Sequence, residues 1–347
     1  MKVLIDEKIP YLKSALLEMG CDVLDMPGVD IDAAAVKDAD ALFVRTRTKC
    51  NASLLSGSKV GFVGTATIGY DHIDTEFCNR SGIEWTNAAG CNAGAVLQYV
   101  QSVVYSWARD NALSVEGLTL GVVGVGQIGS RVAAWARKVG MNVLENDPPK
   151  AAAGVEGLVG LEKIAAECDI ITLHPTLNME GAHCSYHLAD AGFFASLQRC
   201  RLFINASRGP VVDNRALLSA QENGKVGSAA IDVWENEPEI DLALLNKVYV
   251  ATPHIAGYSA EGKINATRMV LEAFARFAGY VGEIPQLLLD APSCQVVEAC
   301  SEQDALLAIY SPLDDTVMLK EVPSQFENLR NNYVLRREPS AYKIVIK

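Results

Sequence analysis

Residues 121–149 read GVVGVGQIGSRVAAWARKVGMNVLENDPP, and no other stretch constrains the fold so tightly. An apolar strand runs into Gly124, Gly126 and Gly129, the glycines open a helix, and a second strand closes on Glu145, Asn146 and Asp147. In a G-x-G-x-x-G turn the first glycine permits the sharp reversal. The second lets the backbone approach a pyrophosphate, and the third lets helix and strand pack closely. The pyrophosphate rests on the helix N-terminus, where unpaired amides and the helix dipole favour anions. Asp147, 18 residues beyond Gly129, is placed to accept hydrogen bonds from ribose hydroxyls. A carboxylate there repels a 2′-phosphate, so NAD is expected rather than NADP.

The pattern around this turn is strand–helix alternation in two blocks. In residues 1 to about 90, KVLI, DVLDM, ALFVR, GFVGT and IEWTN read as strands. IPYLKSALLEMG puts Ile9, Leu12, Leu16 and Met19 on one helical face, ended by Gly20. NAGAVLQYVQSVVYSWARD is a long helix, apolar on most faces and thus buried, with Asn92 as its expected N-cap. From about 117 the alternation resumes through LTLGVVG, NVLEND, DIITLH, RLFINAS, AAIDVW and VYVATPH. Such alternation means parallel sheets with crossover helices. The helix SAEGKINATRMVLEAFARFAGY has no new strand beside it and is expected to return to the first block. The last 60 or so residues read as a small α+β element ending in the strand AYKIVIK.

Composition removes several function classes. A formal charge of −12 argues against a nucleic-acid backbone or an anionic membrane surface as partner. A small anionic substrate remains possible, because local arginines dominate within a screening length of about 8–10 Å. The 9 cysteines are scattered without CxxC spacing, as expected of reduced thiols in a cytoplasmic protein. MKVLIDEKIP reads as a strand rather than a signal peptide, and no apolar run is long enough to span a membrane.

Three residues stand just past later strands of the second block: Arg208 in INASRGPVVD, Glu237 in IDVWENEP and His254 in TPHIAGY. In an open α/β sheet the strand ends gather along the ligand crevice, so residues far apart in sequence converge. Together they suit oxidation of an α-hydroxy acid. A neutral imidazole takes the hydroxyl proton near neutral pH, a carboxylate on its other nitrogen fixes the ring, and an arginine binds the substrate carboxylate bidentately. His183 and His187 have i, i+4 spacing, but GAHCSYHLAD offers no third metal ligand, and a surface helix is expected there.

VVGVGQIGSRVA, NASRGPVVDNRAL, AAIDVWENEP and ATPHIAGYS resemble the signature blocks of the D-isomer-specific 2-hydroxyacid dehydrogenases. The resemblance covers about 1–285. It implies Arg208, Glu237 and His254 as the catalytic trio. It also implies NAD contacts at Gln127, Ile128, Asp147, Thr176, Ala206, Ser207, Arg208, Asp232 and Gly257, beside the glycine turn. The implied fold is α/β, with two doubly wound parallel-sheet domains: a flavodoxin-like substrate domain (1–92 and 259–285) and a Rossmann NAD domain (93–258).

The rest of the substrate pocket must come from the first block. VRTRTKCNASLL packs Arg45, Arg47 and Lys49 around Thr46, a phosphate-receptor candidate. FVGTATIGYDHID is a Gly/Thr loop whose amides suit an anion. With MKVLIDEKIPY, GCNAGAV and the C-terminal element, these stretches resemble a branch of the family that acts on a phosphorylated four-carbon hydroxy acid. That resemblance implies substrate contacts at Arg45, Thr46, Thr67 and Tyr258, and a homodimer built by a small α+β domain at 286–347. Thr46 stands where serine is expected, Arg47 where a small apolar residue is usual, and Gln98 where an acid is expected. A D-3-phosphoglycerate dehydrogenase shares the trio, and an NAD-sensing corepressor shares the fold.

Overall fold

Five short apolar runs build the first sheet: β1 (Lys2–Asp6), β2 (Asp22–Met26), β3 (Ala41–Val44), β4 (Phe62–Thr65) and β5 (Glu84–Asn87). The computed structural model describes residues 1–292 and 294–347, and this sheet belongs to a unit made of Met1–Asn92 and Ser259–Ala291. All pairings are parallel, in the order β2-β1-β3-β4-β5, the flavodoxin-like order. Strands β3 and β4 are buried throughout, as a sheet covered on both faces requires.

The helix Leu12–Glu18 buries Leu12, Ala15 and Leu16 and stops where Gly20 takes a φ of 80°. The helix Ala260–Phe277 does return to this unit, its Ser259 side chain accepting from the Gly262 amide at 2.8 Å. Its Phe274 ring meets Phe43 edge-on at 5.4 Å and Phe62 at 5.7 Å. Burying such a ring stabilises by roughly 1.5–3 kcal/mol. Asn92 does not cap through its side chain: it packs against Gly262, and its Oδ1 is buried without a hydrogen-bond partner.

The second unit is Ala93–Tyr258 with Pro292–Lys347. Its sheet holds β6 (Thr119–Val123), β7 (Asn142–Asn146), β8 (Ile170–Leu173), β9 (Leu202–Asn205), β10 (Ser228–Ile231) and β11 (Val250–Ala251). The order is β11-β10-β9-β8-β6-β7, again parallel. The chain reverses direction across the sheet between β6 and β8, which opens a crevice at their carboxyl ends. The helix Ala93–Asp110 is buried on most of its length, and Tyr99, Val103 and Trp107 lie in one core with Leu120, Val132 and Ile204.

Residues 292–347 form a parallel pair, β12 (Val296–Ala299) with β13 (Lys343–Ile346), and the helices Glu302–Ile309, Pro312–Glu321 and Phe326–Asn331. This α+β element has no core of its own. Leu306 and Tyr310 join the cluster around Tyr99, while Leu319 and Phe326 join the one around Phe203 and Trp234. A segment this short buries a small share of its surface, and these shared clusters supply the apolar burial it has.

Candidate active site

The glycine turn follows β6. Gly124 has a φ of 85°, and a side chain there would collide with the His174 and Pro175 backbone at under 2.8 Å. A side chain at Gly129 would run into the Gly124 carbonyl, whereas Gly126 faces open space. The helix Gly129–Lys138 starts at this turn. Asp147, at the end of β7, accepts from the Val125 amide at 2.9 Å and from the Lys150 amide at 3.1 Å. The carboxylate is thereby fixed beside the turn.

A cavity of about 390 Å³ opens here, lined by Gly124, Gly126, Asp147, His174 and Thr176 among others. His174 escaped the sequence reading. Its Nε2 meets the Thr172 hydroxyl at 3.0 Å, its Nδ1 is buried with no hydrogen-bond partner, and burial drives the imidazole down to about 3. It is therefore neutral. Open space at Gly126, a fixed carboxylate and an orphaned ring nitrogen suit a dinucleotide that brings its own donors and acceptors. Of the other expected NAD contacts, Gln127 and Ile128 precede the helix, Ala206 and Ser207 follow β9, Asp232 follows β10, and Gly257 lies beyond β11. These line no part of that cavity.

Glu237 and His254 meet. Nδ1 of His254 is 2.8 Å from Oε2 of Glu237, and the other oxygen of Glu237 accepts from the Trp234 amide at 2.8 Å. Burial opposes the charge on Glu237. The His254 hydrogen bond and charge, the Trp234 amide and Arg330 outweigh it and hold the carboxyl below its ordinary value. With Nδ1 turned to a carboxylate, Nε2 is the nitrogen left for a proton in transit.

The His254 backbone is in the left-handed region, φ 59°, unusual for a residue with a side chain. Two buried polar side chains hold the loop there. Oδ1 of Asp232 accepts from the Ile255 and Ala256 amides at 2.7 and 3.0 Å and from the Thr252 hydroxyl at 2.7 Å. Arg336 donates to the carbonyls of Ile255 and Ala256, to the Ala95 carbonyl and to Gln98 Oε1, with its guanidinium 4.2 Å from the Tyr310 ring centre. Gln98, in place of the expected acid, is thus a neutral acceptor for a buried cation.

Arg208 is exposed after β9, and its Nη1 donates to the Ser207 carbonyl at 2.8 Å. A side chain at Gly209 would collide with the Trp234 carbonyl, so the Arg208 strand end is pressed against the turn that carries Glu237. Tyr258 accepts from Arg330 Nε at 3.3 Å, and Arg330 Nη1 is 3.8 Å from Glu237 Oε2. Neither Arg330 nor Arg336 was marked by any motif.

His183 and His187 lie in a loop, not on a helix. His187 has a φ of 47°, its amide donates to the Pro210 carbonyl at 2.8 Å, and its Nε2 meets Glu235 at 2.7 Å, which excludes a helical turn. Among the described residues no cluster of metal-ligating side chains occurs.

In the first unit the remaining candidates sit past β3 and β4. Arg45 Nε pairs with the buried Asp6 at 3.2 Å. Thr46 and Arg47 are exposed. The Thr67 hydroxyl is 2.7 Å from that of Thr65 and donates to the Gly69 carbonyl at 2.8 Å.

Comparison with known proteins gives the family. Residues 93–256 match the family described as D-isomer specific 2-hydroxyacid dehydrogenase, NAD binding domain. The chain is 51% identical over 346 residues to an erythronate-4-phosphate dehydrogenase of Bacteroides thetaiotaomicron, covering 99% of both chains. It is 42% identical to the enzyme of that name from Serratia proteamaculans, covering 99% of this chain and 95% of that one. Among solved structures, the NAD+-bound 3-phosphoglycerate dehydrogenase of Entamoeba histolytica superposes with a TM-score of 0.66 at 23% identity, over 83% of this chain and 99% of that one. The chain is a member of the D-isomer-specific 2-hydroxyacid dehydrogenase family, and its second unit carries the NAD-binding domain.

Proposed function

We propose that this chain oxidises 4-phospho-D-erythronate at C2, with NAD as acceptor, to (R)-3-hydroxy-2-oxo-4-phosphooxybutanoate in the synthesis of pyridoxal 5′-phosphate. The observation that carries the reading is the end-to-end likeness to the Bacteroides erythronate-4-phosphate dehydrogenase. NAD, when bound, supplies the two-electron acceptor. Gly124, Gly126, Gly129 and Asp147 would hold it, and Thr176, Ala206, Ser207, Asp232 and Gly257 would flank it.

The residues of the chain handle the proton and the charges. His254 Nε2 accepts the C2 hydroxyl proton, and Glu237, 2.8 Å from Nδ1, stabilises the imidazolium that results. Arg208 binds the substrate carboxylate and polarises the developing carbonyl. Arg45, Thr46, Thr67 and Tyr258 are the proposed further substrate contacts.

We also propose a cytoplasmic homodimer in which residues 286–347 form the contact. Its support is the exposed apolar surface of that segment, with Val317, Met318, Val322 and Val334 between 43% and 86% exposed. No helix among the described residues is long and apolar enough to cross a membrane.

The test is NADH formation by the purified protein with 4-phospho-D-erythronate, 3-phospho-D-glycerate and D-erythronate. Preference for the four-carbon phosphorylated acid is expected. Preference for 3-phospho-D-glycerate would overturn the substrate and keep the chemistry.

A further inference from the structure

Arg330 lies in the last turn of the helix Phe326–Asn331, within the C-terminal element and outside the stretch matched by the family's NAD-binding domain. Its guanidinium nevertheless reaches residues on either side of His254 in the sequence. Nε donates to the Tyr258 hydroxyl at 3.3 Å, and Nη1 lies 3.8 Å from Oε2 of Glu237. The side chain is half-buried, at 34% exposed.

Glu237 does not use up this cation. Both its oxygens have closer donors, His254 and the Trp234 amide, each at 2.8 Å. At 3.8 Å the contact with Arg330 is an ion pair without a hydrogen bond. Among the described residues only Nε of Arg330 is engaged in a hydrogen bond, which leaves the Nη edge to receive an acceptor. A planar guanidinium with that edge open matches two oxygens of one phosphate.

Charge points the same way. A substrate with a carboxylate at one end and a phosphate at the other needs two cationic contacts near a Glu–His pair that is itself anionic when the imidazole is neutral. In a chain of net charge −12, those contacts must be local. In this unit Arg208 is the candidate for the carboxylate, and Arg330 is the further arginine beside the pair. In the first unit, Arg45 meets Asp6 through Nε at 3.2 Å and keeps its place among the substrate contacts proposed above.

We infer that Arg330 receives the substrate phosphate and sets the preference for a phosphorylated acid, an inference that rests on the reading of the reaction proposed above. The C-terminal element would then contribute to specificity as well as to packing.

The experiment compares wild type, Arg330→Met and Arg330→Lys in the full chain, with 4-phospho-D-erythronate and with D-erythronate. Methionine keeps the apolar length and removes the charge. Losing a charge-assisted contact is expected to lower kcat/KM for the phosphorylated acid by roughly 10- to 100-fold, mainly through KM. Any loss on D-erythronate, through Glu237 or Tyr258, should be at least about 10-fold smaller, so the ratio of the two kcat/KM values falls, and lysine should recover part of it. An equal loss on both acids would overturn the inference and make Arg330 a positioning residue for Glu237; no loss on either would overturn it as well. Calorimetric binding of 4-phospho-D-erythronate and of inorganic phosphate to the NAD-loaded protein separates this from failure of the reaction itself. If wild type binds the phosphorylated acid without turning it over, weaker binding by Arg330→Met still supports the inference, and unchanged binding sinks it. If wild type binds neither probe, the inference falls with the reaction.

Discussion

Glu237 touches His254 through one oxygen at 2.8 Å and the Trp234 amide through the other at the same distance. The carboxylate is thus tied to the backbone of its own turn before it orients the imidazole. Replacing Glu237 by Gln keeps the shape and removes the charge that would stabilise an imidazolium. Activity with the hydroxy acid should fall by about 10²- to 10³-fold, mostly in kcat. Steady-state kinetics at saturating NAD check this; a change confined to KM would contradict the role.

His254 sits at φ 59°, where a residue with a side chain costs roughly 1–2 kcal/mol and asparagine is tolerated better. His254→Asn should therefore match or exceed wild type in urea stability while losing at least about 10²-fold in activity. A marked loss of stability would mean that the imidazole is structural.

Arg336 binds the carbonyls of Ile255 and Ala256 while Asp232 binds the amides of the same two residues. Arg336→Leu leaves those carbonyls, the Ala95 carbonyl and Gln98 Oε1 without their buried donor. A stability loss of about 3–5 kcal/mol is expected, because several buried acceptors lose their partner at once. Urea denaturation measures it, and a loss below about 1 kcal/mol would show the carbonyls finding other donors.

Asp315 is buried beneath the Tyr310 and Tyr333 hydroxyls at 3.0 and 3.4 Å, and burial pushes its carboxyl up to about 6. In the unfolded chain the value is about 3.9. The native state therefore holds this proton more tightly. The stability it contributes is full below about pH 4 and is lost as pH rises through about 6. Asp315→Asn, which keeps an acceptor and cannot ionise, should gain on wild type between pH 4 and pH 8, by an amount on the order of 1–3 kcal/mol. Parallel melting curves at the two pH values decide it; a constant difference would place the titration elsewhere.

Asp147 is held beside the glycine turn by the Val125 and Lys150 amides. Asp147→Ser should raise the KM for NAD by roughly 10-fold and narrow the preference over NADP, since the charge that repels a 2′-phosphate is gone. Kinetics with both cofactors test it. An unchanged ratio would put the discrimination on other residues.

Much of this was legible in the chain. GFVGT and RLFIN are strands because short apolar runs between glycines and polar turns are what a covered parallel sheet requires. The G-x-G-x-x-G turn and the residues past β9, β10 and β11 were legible for the same reason, since strand ends are where such sheets gather side chains. What stayed hidden depends on partners remote in sequence. Arg336 binds carbonyls about 80 and 240 residues away, and no local spacing encodes that. The i, i+4 spacing of His183 and His187 suggested a helix, but the contacts of His187 with Pro210 and Glu235 hold a loop instead.

The first sheet borrows one of its faces from late in the chain. Phe274, which packs on Phe43 and Phe62, follows Phe62 by 212 residues. At ribosomal speeds of about 5–20 residues per second, that aromatic surface waits roughly 10 to 40 s for its cover. During synthesis the amino-terminal strands thus keep that aromatic surface uncovered, and the order of translation, rather than of folding preference, decides when the first unit can close.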